Sequence, residues 1–212
     1  MRVSEDRYSR DLRRIQLAHR LIRHEVRTYW IRAFTRLTDG RIRNLLRSYG
    51  LATDGVRRHR GRPPRLYTRF MPPSKHSEAS GLAGLALVWH LVPEEPVRNA
   101  SRTLPSLEFG ESLCEAFELF GLIVPRATLN LDRCILLVMA LAERQLTVGR
   151  CSQCPAVVLL DPLGAKRSLC VSCERQPVPL AAASPDPEAV PLPNGDLEPY
   201  AGRRRGKQQS LF

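Results

Sequence analysis

The sequence lacks an apolar run long enough to cross a lipid bilayer. Its most apolar stretch, Gly81 to Val92, has twelve residues and includes His90, whereas a membrane-spanning helix needs about 20. The first ten residues, M-R-V-S-E-D-R-Y-S-R, contain no apolar core of a secretory signal. We therefore expect a soluble, cytoplasmic protein without a membrane partner, whose thiols stay reduced.

Common catalytic motifs are also missing. The chain contains no H-E-x-x-H metalloprotease motif, no phosphate-cradling P-loop and no Rossmann glycine fingerprint. Two carboxylates, Asp132 and Glu143, fall on a predicted bundle helix, where we expect them to face solvent or form salt bridges. The sequence therefore predicts a protein that is not an enzyme.

Acidic residues are scarce in the first third of the chain. Residues 1–75 carry twenty Lys and Arg against six Asp and Glu, residues 76–173 carry eight against ten, and residues 174–212 carry five against five. The net charge of +12 therefore originates in the first third. Such a concentration of positive charge favours binding to nucleic acid, because neutralising the phosphates releases counterions. A solvated basic face is the alternative interpretation.

The strongest chemical pattern that is present is a set of four cysteines. They form two C-x2-C pairs separated by fifteen residues: Cys151, Cys154, Cys170 and Cys173. This spacing is typical of a tetrahedral zinc site. Four protein ligands leave no open position, so we expect one structural Zn²⁺ per chain, whose binding energy contributes to folding. Disulfides or a redox pair are the alternatives, and they need an oxidising compartment or a βαβ unit.

The segment between the cysteine pairs predicts a zinc ribbon. Ala156 to Leu160 is a short, partly β-branched apolar run, and Asp161 to Gly164 has the residue order that a type I turn prefers. Ala165 to Leu169 is then expected to return antiparallel to the first run. Four cations flank the site and partly offset the negative charge of a four-thiolate zinc: Arg150, Lys166, Arg167 and Arg175.

The N-terminal region is predicted to be helical. Apolar residues recur at intervals of three or four from Asp6 to Arg36. Thirty residues without a break predict either one long helix or two helices with a bend near His24. Thr38 is the predicted N-cap of the next helix, which runs from Asp39 to about Tyr49.

This next helix has a basic face. Ile42, Leu45 and Leu46 share one side, and four residues point toward solvent as candidate DNA contacts: Arg41, Arg43, Asn44 and Arg47. The order of elements is similar to a helix-turn-helix motif: a helix, a short turn containing Gly, and a second helix with a basic face. The Pro-rich and Arg-rich segment that follows is predicted to be an extended arm. Three of its arginines are candidate phosphate contacts: Arg58, Arg60 and Arg62.

The rest of the chain is predicted to contain a helical bundle and a tail. The bundle helices run from Lys75 to about Val92, from Glu108 to about Ile123 and from Asn130 to Leu146, the last being the most buried. Two further cysteines on these helices, Cys114 and Cys134, are expected to be core thiols. The last part, after residue 175, contains seven prolines, and its composition predicts disorder.

These features predict a mainly α protein with a helix-turn-helix-like N-terminal segment and a C-terminal four-cysteine zinc ribbon. We predict four segments along the chain: a basic DNA-binding segment with its arm (1–75), a helical bundle and partner surface (76–148), the zinc ribbon (149–175) and a disordered Pro-rich tail (176–212). From the residues alone, a non-transcriptional zinc-ribbon module that binds RNA or another protein remains an alternative function.

The order of the features resembles the FlhC subunit family of the flagellar master transcriptional activator, over roughly residues 10 to 174. The most specific similarities are Ile15 to Ala18, Thr38 to Leu46, Gly61 with Pro63-Pro64, and the spacing of the four cysteines, which correspond to the zinc ligands of the family. The resemblance implies a zinc-containing DNA-binding protein that acts only with an FlhD-type subunit.

The same resemblance implies the partners and the process. The complex is expected to be a heterohexamer of four D-type and two C-type subunits. It is expected to bind double-stranded promoter DNA upstream of flagellar (class 2) operons and to recruit RNA polymerase, which activates transcription and flagellum biogenesis.

Overall fold

The computed structural model describes residues 2–48, 67–164 and 168–176. These residues form a mainly helical protein with one small sheet, which confirms the predicted fold class. The elements in chain order are α1 (Arg2–Arg23), α2 (Thr28–Thr35), α3 (Asp39–Ser48), a 3-10 turn (Tyr67–Phe70), α4 (Pro73–Val88), α5 (Ala100–Thr103), α6 (Leu107–Ile123), α7 (Leu131–Ala142), β1 (Thr147–Arg150), β2 (Val157–Leu160) and α8 (Val171–Arg175).

The long N-terminal pattern is divided into two helices, which confirms the alternative with a bend near His24. Glu25 adopts a left-handed conformation with φ of 56°. The Val26 amide then donates to the Leu21 carbonyl over 3.0 Å, and this bond closes the end of α1 in the manner of a Schellman cap. Such caps usually carry glycine. Because this position carries a glutamate, the sequence gives no clear signal that the helix ends here.

Side-chain caps begin three of the helices. The Thr38 hydroxyl accepts a hydrogen bond from the Arg41 amide over 3.3 Å, as predicted. The Ser106 hydroxyl and the Asn130 side chain accept equivalent bonds at the starts of α6 and α7, each over 3.1 Å. Each cap satisfies an amide that the first turn of a helix leaves without a backbone partner.

The helices on both sides of residue 75 share one hydrophobic core. Helix α7 is its centre, since ten of the twelve residues of α7 are buried, as predicted. Cys114 and Cys134 lie in this core with at most 1% exposure. Burial raises the pKa of the Cys114 thiol to about 12 and raises that of Cys134 further. Both are core thiols, as predicted.

Helices α1 and α6 run in parallel, side by side. Arg13 forms an ion pair with Glu111, and Arg20, seven residues later, forms one with Glu118. Both pairs are separated by 98 residues in the chain, so the two helices stay in register over two turns. His24 Nε2 also lies 2.9 Å from the Glu118 carboxylate. This ladder aligns α1, and through it the start of α2, on the bundle.

Gly110 on α6 allows α1 and α2 to approach closely, and we predict that Gly110→Ala destabilises the fold. An added Cβ would lie 2.8 Å from Leu17 Cδ2 and 3.2 Å from Phe34 Cβ. The strain of overpacking, about 1–3 kcal/mol, exceeds the gain of about 1 kcal/mol in helix propensity. We expect a lower midpoint in urea unfolding.

Gly121 on the same helix is the matched control. A Cβ at Gly121 meets no atom within 4 Å, so Gly121→Ala should stabilise the protein by about 0.5 kcal/mol. Equal effects of the two substitutions would contradict the close packing at Gly110.

No helix in the described ranges combines the length and the apolarity that a membrane span requires.

Candidate metal centre and basic helix

The four predicted cysteine ligands come together at the C-terminal end of the described chain. Their sulfur atoms all lie within 4.8 Å of one another, so the cluster could hold a metal ion. A tetrahedral site with Zn–S distances of about 2.3 Å requires S···S distances of about 3.8 Å. The Sγ atoms of Cys154 and Cys170, one from each pair, are 3.7 Å apart. The donor set and its size therefore fit a four-thiolate metal centre.

The first C-x2-C pair forms a tight turn directly after β1. The Cys151 amide donates to the Ala156 carbonyl over 2.9 Å, and this bond closes the turn that carries Cys151 and Cys154. The Cys170 amide in turn donates to Cys151 Sγ over 3.2 Å. This and further backbone donors lower the pKa of Cys151 to about 6. Backbone dipoles thus favour the thiolate, which is the form that binds metal.

The second pair is built on the start of α8. Cys170 is the N-cap residue, and its sulfur accepts a hydrogen bond from the Cys173 amide over 3.4 Å. The Ser152 amide joins the two pairs by donating to the Ser168 carbonyl over 2.9 Å. Backbone bonds from each pair therefore reach the other pair and bring the sulfurs together.

The sheet beside the cluster differs in part from the predicted hairpin. Strand β2 pairs antiparallel with β1, which precedes the first cysteine and was not predicted as a strand. Ser168 and Leu169, at the end of the expected return strand, are not in a strand, and residues 165–167 lie outside the described residues. The turn between them is as expected, since the Gly164 amide donates to the Asp161 carbonyl over 3.2 Å.

Strand β2 connects the metal centre to the helical core. Val158 packs with Cys151 and Cys173 in a small cluster, whereas the next residue, Leu159, belongs to the main core. Successive side chains of a strand point to opposite faces. One short strand therefore contributes to both hydrophobic clusters.

Two polar side chains of α4 fix the same strand. His76 Nε2 lies 2.7 Å from the Leu159 carbonyl, and the Ser80 hydroxyl accepts from the Leu159 amide over 3.0 Å. His76 and Ser80 are four residues apart and therefore lie on one face of the helix. Both are buried, and they satisfy both backbone polar groups of Leu159. Neither residue was predicted to have a role, because their partner Leu159 lies about eighty positions away in the chain.

The coordination chemistry of the cluster follows from the number of its thiols. A tetrahedral ion held by all four thiolates would have no position open for water or substrate. Two of the four flanking cations, Arg150 and Arg175, are exposed beside the cluster, and the other two, Lys166 and Arg167, lie outside the described residues.

The predicted DNA-contacting residues of α3 form an exposed surface. Ile42 and Leu46 are buried at 0% and 8% exposure, and four residues on the remaining faces are exposed: Arg41, Arg43, Asn44 and Arg47. Arg43 Nε donates to the Asp39 carbonyl of its own helix over 3.3 Å. The three predicted phosphate contacts of the arm lie outside the described residues: Arg58, Arg60 and Arg62.

Comparison of the sequence with models of protein families found no match. Comparison with curated proteins likewise found no match.

Proposed function

We propose that this chain is a zinc-containing, DNA-binding subunit of a cytoplasmic transcriptional activator complex. With an FlhD-type partner it binds promoter DNA upstream of flagellar operons and recruits RNA polymerase. The partner, the promoter class and the polymerase come from the family resemblance, whereas DNA binding and zinc binding also rest on the residues of this chain.

The observation that carries the proposal is the basic face of α3. Its arginines occur at positions 41, 43 and 47, and all three are exposed while Ile42 and Leu46 anchor the opposite side. Arg43 and Arg47 are like charges at i and i+4, which cost an isolated helix about 0.2–0.5 kcal/mol. A polyanion converts this repulsion into attraction, because both guanidiniums then bind phosphate or base edges.

The support of α3 suits groove binding. Helix α2 anchors in the core through Trp30 and Phe34, and Leu37 in the turn between α2 and α3 is only 5% exposed. The turn is therefore held firmly, and α3 projects from a rigid base. In helix-turn-helix proteins the second helix enters the major groove while the first helix crosses the backbone. The pair α2–α3 supports the same arrangement here.

Zinc has a structural role in this proposal. A bound Zn²⁺ would be held by Cys151, Cys154, Cys170 and Cys173 and would supply folding energy to a segment whose own hydrophobic cluster is small. Zinc is the metal of choice because four thiolates in tetrahedral spacing are its typical structural ligands.

The proposal is tested by co-expressing the full chain with a D-type subunit and measuring binding of the purified complex to fragments from upstream of flagellar operons. We expect a soluble complex that contains zinc and retards these fragments in gels. Failure to retard any of them would refute the proposed function.

Replacing Arg47 with glutamine should weaken this DNA binding through loss of a phosphate or base contact. The slope of log K against log salt should fall by about 1 if Arg47 contacts a phosphate. If it contacts a base, specificity should instead relax at one position, with a cost of about 1–3 kcal/mol. Fluorescence anisotropy over a range of salt concentrations measures both quantities.

The matched control is Arg126→Gln, which removes the same charge from an exposed position in the connection after α6. It should change neither the slope nor the specificity. If the control and Arg47→Gln have the same effect, general charge and not the face of α3 determines binding.

A further inference from the structure

A second basic surface lies beside the turn that joins α2 to α3. The end of α2, this turn and the short helix α5 enclose an open cleft of about 500 Å³. Its polar side chains are three arginines and three residues with hydroxyl groups: Arg32, Arg36, Arg102, Tyr29, Thr38 and Ser101. We call this surface the turn cleft. None of these six residues is among the DNA contacts predicted from the sequence.

The charge of the turn cleft is poorly compensated. Arg32 faces one carboxylate, that of Asp39, at 3.6 Å, and both side chains are more than half exposed. Arg36 donates to the neutral Pro105 carbonyl over 3.3 Å. Among the described residues, Arg102 has no ion-pair partner. Two of the three guanidiniums therefore have no carboxylate partner among the described residues, and their uncompensated positive charge attracts an anion.

Hydrogen bonds cap the end of α2 beneath the cleft. Arg36 has a left-handed conformation with φ of 59°, and its amide donates to the Arg32 carbonyl over 2.9 Å. The buried Thr35 hydroxyl donates to the Ile31 carbonyl over 2.6 Å. Because this cap fixes the end of α2, the starting points of the Arg32 and Arg36 side chains are set before any ligand binds. Such preorganisation lowers the entropic cost of binding.

The chemistry of the lining suits a phosphate group. Guanidiniums match phosphate oxygens in a bidentate geometry, and hydroxyls add further donors. Thr38 already accepts the Arg41 amide with its oxygen, which leaves its O–H to donate. Since Thr38 both lines the cleft and caps α3, a phosphate in the cleft would lie next to the first turn of the basic helix.

A neighbouring cleft of about 480 Å³ shares Arg36 and Pro105 with the turn cleft but is better neutralised. Its other basic residues include Arg13, which pairs with Glu111, and Arg14, which pairs with Asp11 over 3.2 Å. Two of its arginines are therefore already paired with carboxylates, and Glu108 also lines it. The comparison selects the turn cleft as the stronger anion site.

We propose that the turn cleft binds a backbone phosphate of duplex DNA while α3 lies in the adjacent major groove. The inference rests on the proposed DNA-binding function and adds Arg32, Arg36 and Arg102 as its phosphate contacts. It agrees with helix-turn-helix docking, in which contacts near the first helix position the protein on the backbone.

The test uses the full-length, zinc-loaded chain in complex with its partner, with Arg102→Gln as the variant. Arg102 is exposed and forms no ion pair within the described part of the chain, so the variant should fold normally. The probes are a flagellar-operon fragment and an unrelated duplex of equal length. We expect the salt slope to fall by about 1 and the affinity to fall by the same factor for both duplexes, because a phosphate contact carries no sequence information.

The outcomes distinguish the turn-cleft hypothesis from the proposed function. If the salt slope of Arg102→Gln is unchanged while the wild-type complex binds DNA normally, the turn cleft does not bind a backbone phosphate and the proposed function stands. No DNA binding by the wild-type complex overturns both. In a third experiment, inorganic phosphate is titrated into the complex and the Arg102 resonances are followed by NMR. If it shifts the Arg102 resonances while Arg102→Gln binds DNA like the wild type, the cleft holds a free phosphate compound and the inference is wrong. Arg126→Gln should match the wild type in every arm.

Discussion

Replacing Cys173 with serine is expected to abolish zinc binding and to unfold the C-terminal ribbon while the helical bundle remains folded. Cys173 is buried in the small cluster with Cys151 and Val158. Structural zinc contributes about 10–16 kcal/mol in isolated zinc-finger peptides, far more than this cluster can supply. Zinc content by mass spectrometry should fall from one per chain to none. Amide exchange of β1 and β2 should rise toward the unfolded rate.

Helical circular dichroism should persist in this variant, because the main core is formed mostly by residues before the ribbon. Cys114→Ala is the matched control, since Cys114 lies in the main core on α6. It should lower overall stability yet retain one zinc per chain. A Cys173→Ser protein that still holds one zinc would contradict the four-thiolate site.

Asp132→Ala is expected to destabilise the fold more than any surface substitution. Asp132 is 4% exposed, and its carboxylate contacts Arg27 Nε at 2.8 Å and the Arg27 amide at 3.4 Å. The pair joins the start of α7 to the start of α2. Removing one partner of a buried ion pair costs about 3–5 kcal/mol. We expect about 3 kcal/mol, since the Arg27 side chain retains 19% exposure. Urea unfolding of the zinc-loaded chain measures the loss.

The matched control is Asp11→Ala, which removes the ion pair with Arg14 on the surface of α1. That pair has a distance of 3.2 Å, and its side chains are 33% and 41% exposed. Its loss should cost at most about 0.5 kcal/mol. If the two substitutions cost the same, the Arg27–Asp132 pair does not anchor α2 as inferred.

Local patterns in the sequence predicted most of the helices and the cysteine cluster. Apolar residues that recur every three or four positions identified α3, α6 and α7. Helices α3 and α6 bury one side, and α7 buries nearly all of its residues. The C-x2-C spacing identified the metal ligands, because two short turns suffice to bring the thiols together. Thr38 was found because its hydroxyl caps within its own turn.

Helix ends were less predictable, because left-handed caps here carry side chains other than glycine. α4 ends at Val88 and α7 ends at Ala142, each four residues before the expected end. In both cases a backbone bond five residues back closes the helix around a residue with φ above 50°, namely His90 and Arg144. Tertiary packing stabilises these left-handed conformations, so they cannot be predicted from the residue types at these positions.

Contacts between distant segments were the least predictable. The bonds from His76 and Ser80 to Leu159 join residues about eighty positions apart in the chain. No local spacing encodes such contacts. The turn cleft is a similar case, because residues of α5 and of the end of α2, far apart in the chain, line it together. Nothing in the sequence near Arg102 indicates a shared site.

We propose that the metal centre braces the fold and that the basic surface of α3 and the turn cleft bind DNA. The most direct test compares three ligands by fluorescence anisotropy at one ionic strength with the zinc-loaded complex. These are duplex DNA from upstream of a flagellar operon, unrelated duplex DNA and a structured RNA. We predict that the operon duplex binds more tightly than the other two. Equal or tighter binding of the RNA would contradict the proposed function and favour a zinc-ribbon RNA-binding module.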